Sequence, residues 1–296
     1  MGSILGKDLN YLIELYNETL ENTLKSVEKI LKSELNLDDP DLMEIFNDYF
    51  DKSMDSLIEK WKLGKKFLRT YTVMKAFNGE PINSTRSILL IDAIINILDD
   101  LIDETLVEKE MHFYVVELIR ALADYQLQSS TDEEREQLSA YLNKCITIAL
   151  LERHYYDLIK SEESYDEILR CSRSIYQTRS LDMDIFIQIS LMGRDDLPAR
   201  DIIRAGRIHR ALELLKKDVL DFEHDVKHDT DTIFTIFRDD EETLRRLVDD
   251  ISGTYLLKAR ELAASHPHEA IVANFASMIE SEGREIETIR KTIAQG

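Results

Sequence analysis

Four carboxylates interrupt an otherwise apolar stretch at residues 97–104, which reads ILDDLIDE. On a helix, residues four apart share a face, so Asp99 aligns with Asp103 and Asp100 aligns with Glu104. Apolar residues surround these acids, so the helix is predicted to be buried and its acids to line a cavity. Clustered carboxylates repel one another unless a cation intervenes, and their oxygens suit Mg²⁺. An acidic cap on an amphipathic helix is the alternative interpretation.

A second acidic stretch, KKDVLDFEHDVKHDTDT, covers residues 216–232. Asp218, Asp221 and Asp225 are spaced i, i+3, i+7, and Asp221, Asp225 and Asp229 are spaced i, i+4, i+8. Either set forms one carboxylate face on a helix. Two acid-faced helices in one helical chain are typical of two walls of a metal-filled cavity. The nearby lysines that could bind phosphate are Lys216, Lys217 and Lys227.

The elements that must position these acids are predicted to be helices. The chain has 296 residues with only nine glycines and four prolines, and apolar residues recur at every third or fourth position. This pattern predicts helices over 136–160, 164–191 and 198–228, followed by two more, and there is no strand cluster or linker. We therefore expect one all-α domain over residues 1–296, a bundle of about ten helices.

Composition narrows the class of protein. The net charge of -21 disfavours nucleic acid and anionic lipid as partners. Cys145 and Cys171 form no disulfide framework or metal spacing, which fits a reducing cytoplasm. The first residues are too polar for a signal peptide, and no apolar run is long enough to cross a membrane. The expectation is a cytoplasmic protein without an integral membrane segment.

These acidic stretches and several other segments resemble the trans-prenyltransferases, or polyprenyl diphosphate synthases, of the class I isoprenoid synthase fold, and they follow one another in the family's order. Residues 98–104 resemble the family's first aspartate-rich motif, DDxxD, and residues 64–81 resemble its GKRxRP segment with the following helix. Residues 176–193 are similar to the segment that begins with a Lys-Thr pair, and 204–225 to the helix ending in the second aspartate-rich motif. The resemblance spans roughly residues 60 to 290 and implies a helical bundle around a central cavity.

The resemblance implies that acids of both motifs bind three Mg²⁺ ions, which grip an allylic prenyl diphosphate. The implied metal ligands are Asp99, Asp103, Glu104, Asp218, Asp221 and Asp225. The implied catalytic acids are Asp99, Asp100, Asp103 and Asp221. The implied diphosphate-binding residues are Lys65, Lys66, Arg69, Arg179, Lys217 and Lys227. The expected cavity residues are Asp92, Ile94, Ile95, Asn96, Gln177, Met183 and Phe186. A homodimer is also expected from the resemblance. His154, Tyr155 and Tyr156 are candidates for a cavity-facing helix, where aromatic faces stabilise cations.

Several departures from the family pattern bear on the function. Lys217 stands where the second motif has its leading aspartate. Either Lys217 replaces a metal ion as a fixed cation, or Asp225 and Asp229 take over as metal ligands, or the change marks lost activity. Gln177 replaces the lysine of the Lys-Thr pair. Asp92 replaces the His or Gln that contacts isopentenyl diphosphate, and the arginine pair after the first motif is missing. These changes weaken a second diphosphate site and leave the first largely intact.

This pattern fits an enzyme that uses one diphosphate rather than two. In this respect the chain is similar to the class I terpene synthases, in which the allylic cation cyclises or loses a proton. Arg179 and Asp182 match, by spacing, the diphosphate-sensing arginine and linker residue of those enzymes. The sequence leaves two alternatives open: a polyprenyl diphosphate synthase that condenses the allylic diphosphate with isopentenyl diphosphate, and a non-catalytic subunit of a heteromeric synthase.

Overall fold

The computed structural model describes residues 68–78 and 131–293, together with residues 14, 18, 21, 22, 44, 85, 87–89, 91, 92 and 95. In this part of the chain every regular element is a helix and none is a strand. The predicted all-α class is therefore confirmed for the described residues. None of the described helices is both long enough and apolar enough to cross a membrane.

The described helices include nine α-helices, which we number in chain order, and one 3₁₀ helix. They are α1 (Leu68–Phe77), α2 (Asp132–Ser161), α3 (Tyr165–Arg179), the 3₁₀ helix (Ser180–Met183), α4 (Asp184–Leu191), α5 (Ala199–Leu220), α6 (Phe222–Lys227), α7 (Ile233–Ile236), α8 (Glu241–Ser265) and α9 (Ala270–Ile293).

The chain divides into two compact units. The first unit comprises residues 1–72 and 84–136, and the second comprises 73–83 and 137–296. In the first unit the described helical residues Ile88, Leu89 and Ile91 are almost completely buried. A single domain over residues 1–296 stays a prediction.

Helix α5 forms the centre of the second unit and packs against α3, α4, α8 and α9. It is buried over most of its circumference because apolar residues occupy several of its faces, from Ile202 to Val219. The neighbouring helices α8 and α9 instead bury a single stripe at helical spacing, as amphipathic helices do. Burial of these stripes against α5 supplies the hydrophobic stabilisation of the unit.

Two of the predicted helices are interrupted. The segment predicted as one helix over 164–191 is broken by the 3₁₀ helix, where the buried carboxylates of Asp182 and Asp184 bind arginines of α5. The segment predicted over 198–228 breaks at Asp221, which ends α5 and precedes the short helix α6. The helix ends before Asp229, which has a positive φ of 54°. Asp229 therefore does not extend the carboxylate face of Asp221 and Asp225.

Candidate functional site

The carboxylates of the second acidic stretch gather where α5 meets α6. Asp218 lies in the last turn of α5 and is 4% exposed, and Asp225 lies in α6 and is 9% exposed. Asp221 lies between the two helices and is half-buried. The amide of Asp225 donates to the carbonyl of Asp221 at 2.8 Å, so the junction keeps a helical connection. The three predicted acids are thereby brought together.

A cation from another helix already contacts this cluster. The guanidinium of Arg179, at the end of α3, donates from Nη1 to Asp218 Oδ2 at 2.7 Å. The hydroxyl of Tyr176, one turn earlier on α3, donates to the same oxygen at 3.0 Å. The spacing of three residues places both donors on one face of α3. Arg179, the predicted diphosphate sensor, therefore lies beside a predicted metal ligand.

Helix α2 supplies two further polar groups near Arg179. Glu152 Oε1 lies 3.4 Å from Arg179 Nε, so this guanidinium contacts two carboxylates. Tyr156 is one turn later on α2, is 5% exposed, and lies close enough to interact electrostatically with both Arg179 and Asp218. Within the described residues, its buried hydroxyl has no hydrogen-bond partner. A buried polar group of this kind costs free energy unless something binds it.

The pKa values reflect this crowding. Burial, followed by the charges of Asp218 and Asp221, raises the pKa of Asp225 above its ordinary value. Burial also raises the pKa of Tyr156 and of Tyr176, so both hydroxyls remain donors at neutral pH. For Arg179, burial acts to lower the pKa, but Asp218, Tyr156 and Glu152 outweigh it and the pKa lies above the ordinary value. The site thus holds one permanent cation against several acids.

The acids of this cluster fit the predicted Mg²⁺ ions only in part. Among the described residues, no group of three or more His, Cys, Asp or Glu side chains is arranged to hold a metal ion. Mg²⁺ that bridges a substrate diphosphate needs only one or two protein carboxylates, because phosphate oxygens and water complete its shell. Asp221 and Asp225 meet this smaller requirement, whereas Asp218 is occupied by Arg179 and Tyr176.

The lysines of the stretch differ in their surroundings. Lys216 binds Glu282 and Glu285 of α9, and so its charge is already compensated in a half-buried ion-pair network. Lys217 and Lys227, the predicted diphosphate ligands, are exposed. Their roles stay predictions, and their exposure leaves both ammonium groups accessible to an anion.

In the first unit, two predicted site residues bind each other. Arg69 Nη1 lies 3.1 Å from Asp92 Oδ1, and the amide and hydroxyl of Thr70 donate to Asp92 Oδ2 at 3.0 and 3.1 Å. Asp92 is completely buried. Burial raises the pKa of Asp92, while Arg69 and the Thr70 donors oppose that rise. Asp92 is therefore neutralised by an arginine that the sequence assigned to diphosphate binding.

The remaining described cavity candidates are mostly core residues. Met183 and Phe186 are fully buried in the second unit, and Ile95 is 7% exposed in the first. Gln177 is exposed at the end of α3 and lines a pocket of the second unit together with residues of α5 and α8. The predicted site residues that lie outside the described part of the chain are Lys65, Lys66, Ile94, Asn96, Asp99, Asp100, Asp103 and Glu104.

Sequence analysis missed two residues of the site, Tyr176 and Glu152. The signal for Tyr176 was present, because it lies three residues before Arg179 and so shares its helical face. Glu152 and Tyr156 are one turn apart on α2, which favours a common face, but nothing local indicates that this face meets Arg179.

Comparisons with protein-family models, with curated protein sequences and with solved structures found no match to this chain. The resemblance to isoprenoid synthases therefore rests on the motifs themselves.

Proposed function

We propose that this chain is a Mg²⁺-dependent class I isoprenoid enzyme of the terpene synthase type, with an isoprenoid synthase-like helical fold. It would ionise one allylic prenyl diphosphate and release pyrophosphate. The observation that carries the proposal is the contact between Arg179 and Asp218, beside Asp221 and Asp225. This contact joins the arginine that the sequence assigns to diphosphate sensing with the acids that it assigns to metal binding.

In the proposed reaction, the bond between the allylic carbon and the diphosphate oxygen breaks and its electron pair leaves with pyrophosphate. Arg179 would turn from Asp218 to a diphosphate oxygen. Its permanent positive charge would there stabilise the departing anion. The buried hydroxyl of Tyr156 would donate to the same anion and so gain the partner that it lacks within the described residues. The carbocation, directly or after cyclisation, would then transfer a proton to the departed pyrophosphate as the base, in an apolar environment that excludes water.

In this stretch, Asp221 and Asp225 would hold a metal ion. Asp99, Asp103 and Glu104 of the first motif lie outside the described residues, and their role as ligands stays what the resemblance implies. Bound Mg²⁺ would neutralise charge on the leaving pyrophosphate. The ammonium of Lys217 cannot coordinate a metal ion, so it would contribute only as a cation. The resemblance implies three Mg²⁺ ions, and the replacement of one ligand position by Lys217 makes a smaller number compatible with the proposal.

The ion pair in the first unit supports a single diphosphate. Arg69 is one of the few cations that correspond to isopentenyl diphosphate contacts, and its charge is compensated by Asp92 at 3.1 Å. A second diphosphate would have to compete with this buried carboxylate for Arg69. The proposal therefore favours cyclisation or elimination over condensation with isopentenyl diphosphate.

The same geometry suggests a second candidate, a non-catalytic subunit of a heteromeric synthase. The observation in its favour is that Asp218 is paired with protein donors rather than left open for a metal ion. A subunit without catalysis can keep such a permanent ion pair. This candidate predicts no turnover under any conditions.

The test is release of pyrophosphate from geranyl, farnesyl and geranylgeranyl diphosphates with Mg²⁺, with and without isopentenyl diphosphate, and extraction of hydrocarbons. We expect release without isopentenyl diphosphate and a hydrocarbon product. Asp99→Ala, Asp103→Ala and Asp221→Ala should abolish release. Asp195→Ala removes an exposed acid far from these stretches in sequence and should retain it.

Each other outcome selects an alternative. Release that requires isopentenyl diphosphate and yields a longer diphosphate would identify a polyprenyl diphosphate synthase. No release with any substrate would favour the non-catalytic subunit. Unchanged release in all three aspartate variants would overturn the metal assignment.

A further inference from the structure

The second unit contains a pocket of about 340 Å³ whose charge is opposite to that of the chain as a whole. Its walls are the end of α3 with the 3₁₀ helix, the first half of α5 and the middle of α8. Arg204, Arg207 and Lys258 supply three cations. Tyr255 and Ile208, both at least 95% buried, supply an apolar part of the lining.

None of the nine lining residues is an acid, although the chain has 58 acidic residues against 37 lysines and arginines. A concentration of one charge in a concave site focuses the electrostatic potential and attracts the opposite charge. A chain so rich in acids has many carboxylates available to neutralise such cations. The lining itself therefore supplies no carboxylate to these cations, and an anion from solution can bind them.

The three cations are held differently. The guanidinium of Arg207 is held in place by Asp184, because Nε and Nη2 donate to the two oxygens of this buried carboxylate at 2.6 and 2.5 Å. Arg204 and Lys258 form no ion pair within the described residues, and both line the pocket. These two cations, beside the anchored Arg207, provide the donors that an anionic group with several oxygens requires.

Lys258 is surrounded mainly by other cations. Burial and then the charges of Arg204 and Arg173 lower the pKa of Lys258, and Glu261 opposes this only in part. Its ammonium lies 5.8 Å from the centre of the Tyr255 ring, a weak interaction for a cation. A bound anion would offset the mutual repulsion of these cations.

We propose that this pocket binds the phosphate or diphosphate group of a small soluble organic compound. Arg204, Arg207 and Lys258 hold the anionic oxygens, and Tyr255 and Ile208 contact the less polar part of the ligand. None of the lining residues is an acid of the aspartate cluster, and these cations bind an anion without a metal ion. It stands whether or not the proposed enzymatic function is correct.

The test is calorimetric titration of the full chain with inorganic pyrophosphate and with phenyl phosphate, at low salt and with EDTA to remove divalent metal ions. EDTA prevents Mg²⁺-dependent binding at the aspartate cluster. We expect both probes to bind. Arg204→Ala/Lys258→Ala should weaken binding at least tenfold, and Asp221→Asn should bind as the unaltered chain does.

The matched control is Arg200→Ala/Arg245→Ala, which removes the same two charges from exposed positions on the same helices, α5 and α8. We expect this control to change the affinity by less than twofold. It changes the net charge by the same amount as Arg204→Ala/Lys258→Ala but leaves the pocket lining unaltered. Equal weakening in both double variants, or no binding to the unaltered chain, would overturn the proposal. Melting curves of each variant establish that the fold is retained, and Lys258→Met alone provides a milder change that should still weaken binding.

A lipid headgroup presents the same phosphate chemistry, so flotation with vesicles containing phosphatidic acid is the second arm. We expect no flotation, because a chain with a net charge of -21 is repelled by an anionic surface. Flotation that is lost in Arg204→Ala/Lys258→Ala, without binding of the soluble probes, would overturn the assignment to a soluble ligand.

Discussion

At the scale of single residues, the site depends on how one buried carboxylate is satisfied. Asp218 is 4% exposed and accepts hydrogen bonds from a tyrosine and an arginine on the same face of α3. A buried charge is tolerated only when it is paired and hydrogen-bonded. Each donor should therefore contribute measurably to stability as well as to the geometry of the site.

Removal of one donor tests this directly. Tyr176→Phe deletes only the hydroxyl that binds Asp218, and we expect the free energy of unfolding to fall by about 1.5–3 kcal/mol, as for hydrogen bonds to charged groups. Tyr255→Phe is the matched control, since its hydroxyl donates to a neutral carbonyl, that of Arg173, at 3.3 Å. This control should cost about 0.5–1.5 kcal/mol. Urea denaturation measures both, and an equal loss would contradict the importance of the Asp218 charge.

A buried histidine gives the second prediction at this scale. His209 is 2% exposed, and its Nδ1 has no hydrogen-bond partner within the described residues. Burial, with the charges of Arg210, Lys75 and Lys216, lowers the pKa of His209 to about 4, and Glu213 opposes this. The imidazole is therefore neutral in the folded protein at pH values where an exposed histidine is protonated.

This lowered pKa makes stability depend on pH. Between pH 6.5 and about 4 the unfolded chain binds a proton at His209 and the folded protein does not. The free energy of unfolding should therefore fall as the pH decreases through this range, by roughly 3 kcal/mol from this residue. His209→Leu should remove that part of the pH dependence, whereas His268→Asn, at an exposed position, should retain it. A slope unchanged by His209→Leu would contradict the assignment.

At the scale of helices, α4 and α9 approach α5 closely at Gly206. A Cβ atom there would clash with the terminal methyl of Ile187 on α4 and would lie 3.4 Å from Cζ of Phe275 on α9. The glycine thus permits three helices to meet. Gly253, in the middle of α8, is different, because a Cβ atom there would have no neighbour within 4 Å.

Alanine at these two glycines should have opposite effects. Gly206→Ala should lower the free energy of unfolding by about 1–2 kcal/mol, since overpacking outweighs the better helix propensity of alanine. Gly253→Ala should raise it by about 0.5–1 kcal/mol, since only the propensity changes. Thermal unfolding of the two variants checks both signs. Stabilisation by Gly206→Ala would mean that Ile187 changes rotamer without cost.

Periodicity predicted where the described helices lie but not where they break. The predicted helix over 136–160 corresponds to α2, and the two predicted C-terminal helices correspond to α8 and α9. The interruption at 180–183 involves buried Asp182 and Asp184, whose partners Arg210 and Arg207 lie 28 and 23 residues away. The local periodicity of apolar residues contains no information on such long-range pairs, so it does not predict the break.

The same limit applies to the candidate site. Helical spacing of the acids correctly indicated that Asp218, Asp221 and Asp225 lie close together. It did not indicate that Arg179, 39 residues earlier, would be paired with Asp218, or that Arg69 would be paired with Asp92. Charge complementarity is visible in a sequence, but the choice among many possible partners is made by tertiary packing.

At the scale of the whole molecule, a net charge of -21 affects every binding experiment on this chain. Self-repulsion destabilises the compact state, and salt reduces it by shortening the screening length from about 30 Å at 0.01 M to about 10 Å at 0.1 M. Any cation will therefore stabilise the protein to some extent. A specific Mg²⁺ site must be distinguished from this general effect.

Melting temperatures at matched ionic strength make the distinction. NaCl alone should raise the melting temperature because it screens repulsion among the acids. MgCl₂ with pyrophosphate should raise it further at the same ionic strength, and more than either component alone, because a ligand that binds only the folded state stabilises it. Asp221→Asn/Asp225→Asn should lose this further rise but retain the response to NaCl, whereas Asp195→Asn/Asp229→Asn, which removes the same charge at exposed positions, should keep both. If Mg²⁺ with pyrophosphate stabilises the unaltered chain no more than NaCl does, the acids at the junction of α5 and α6 act only through their charge and do not form a metal–diphosphate site.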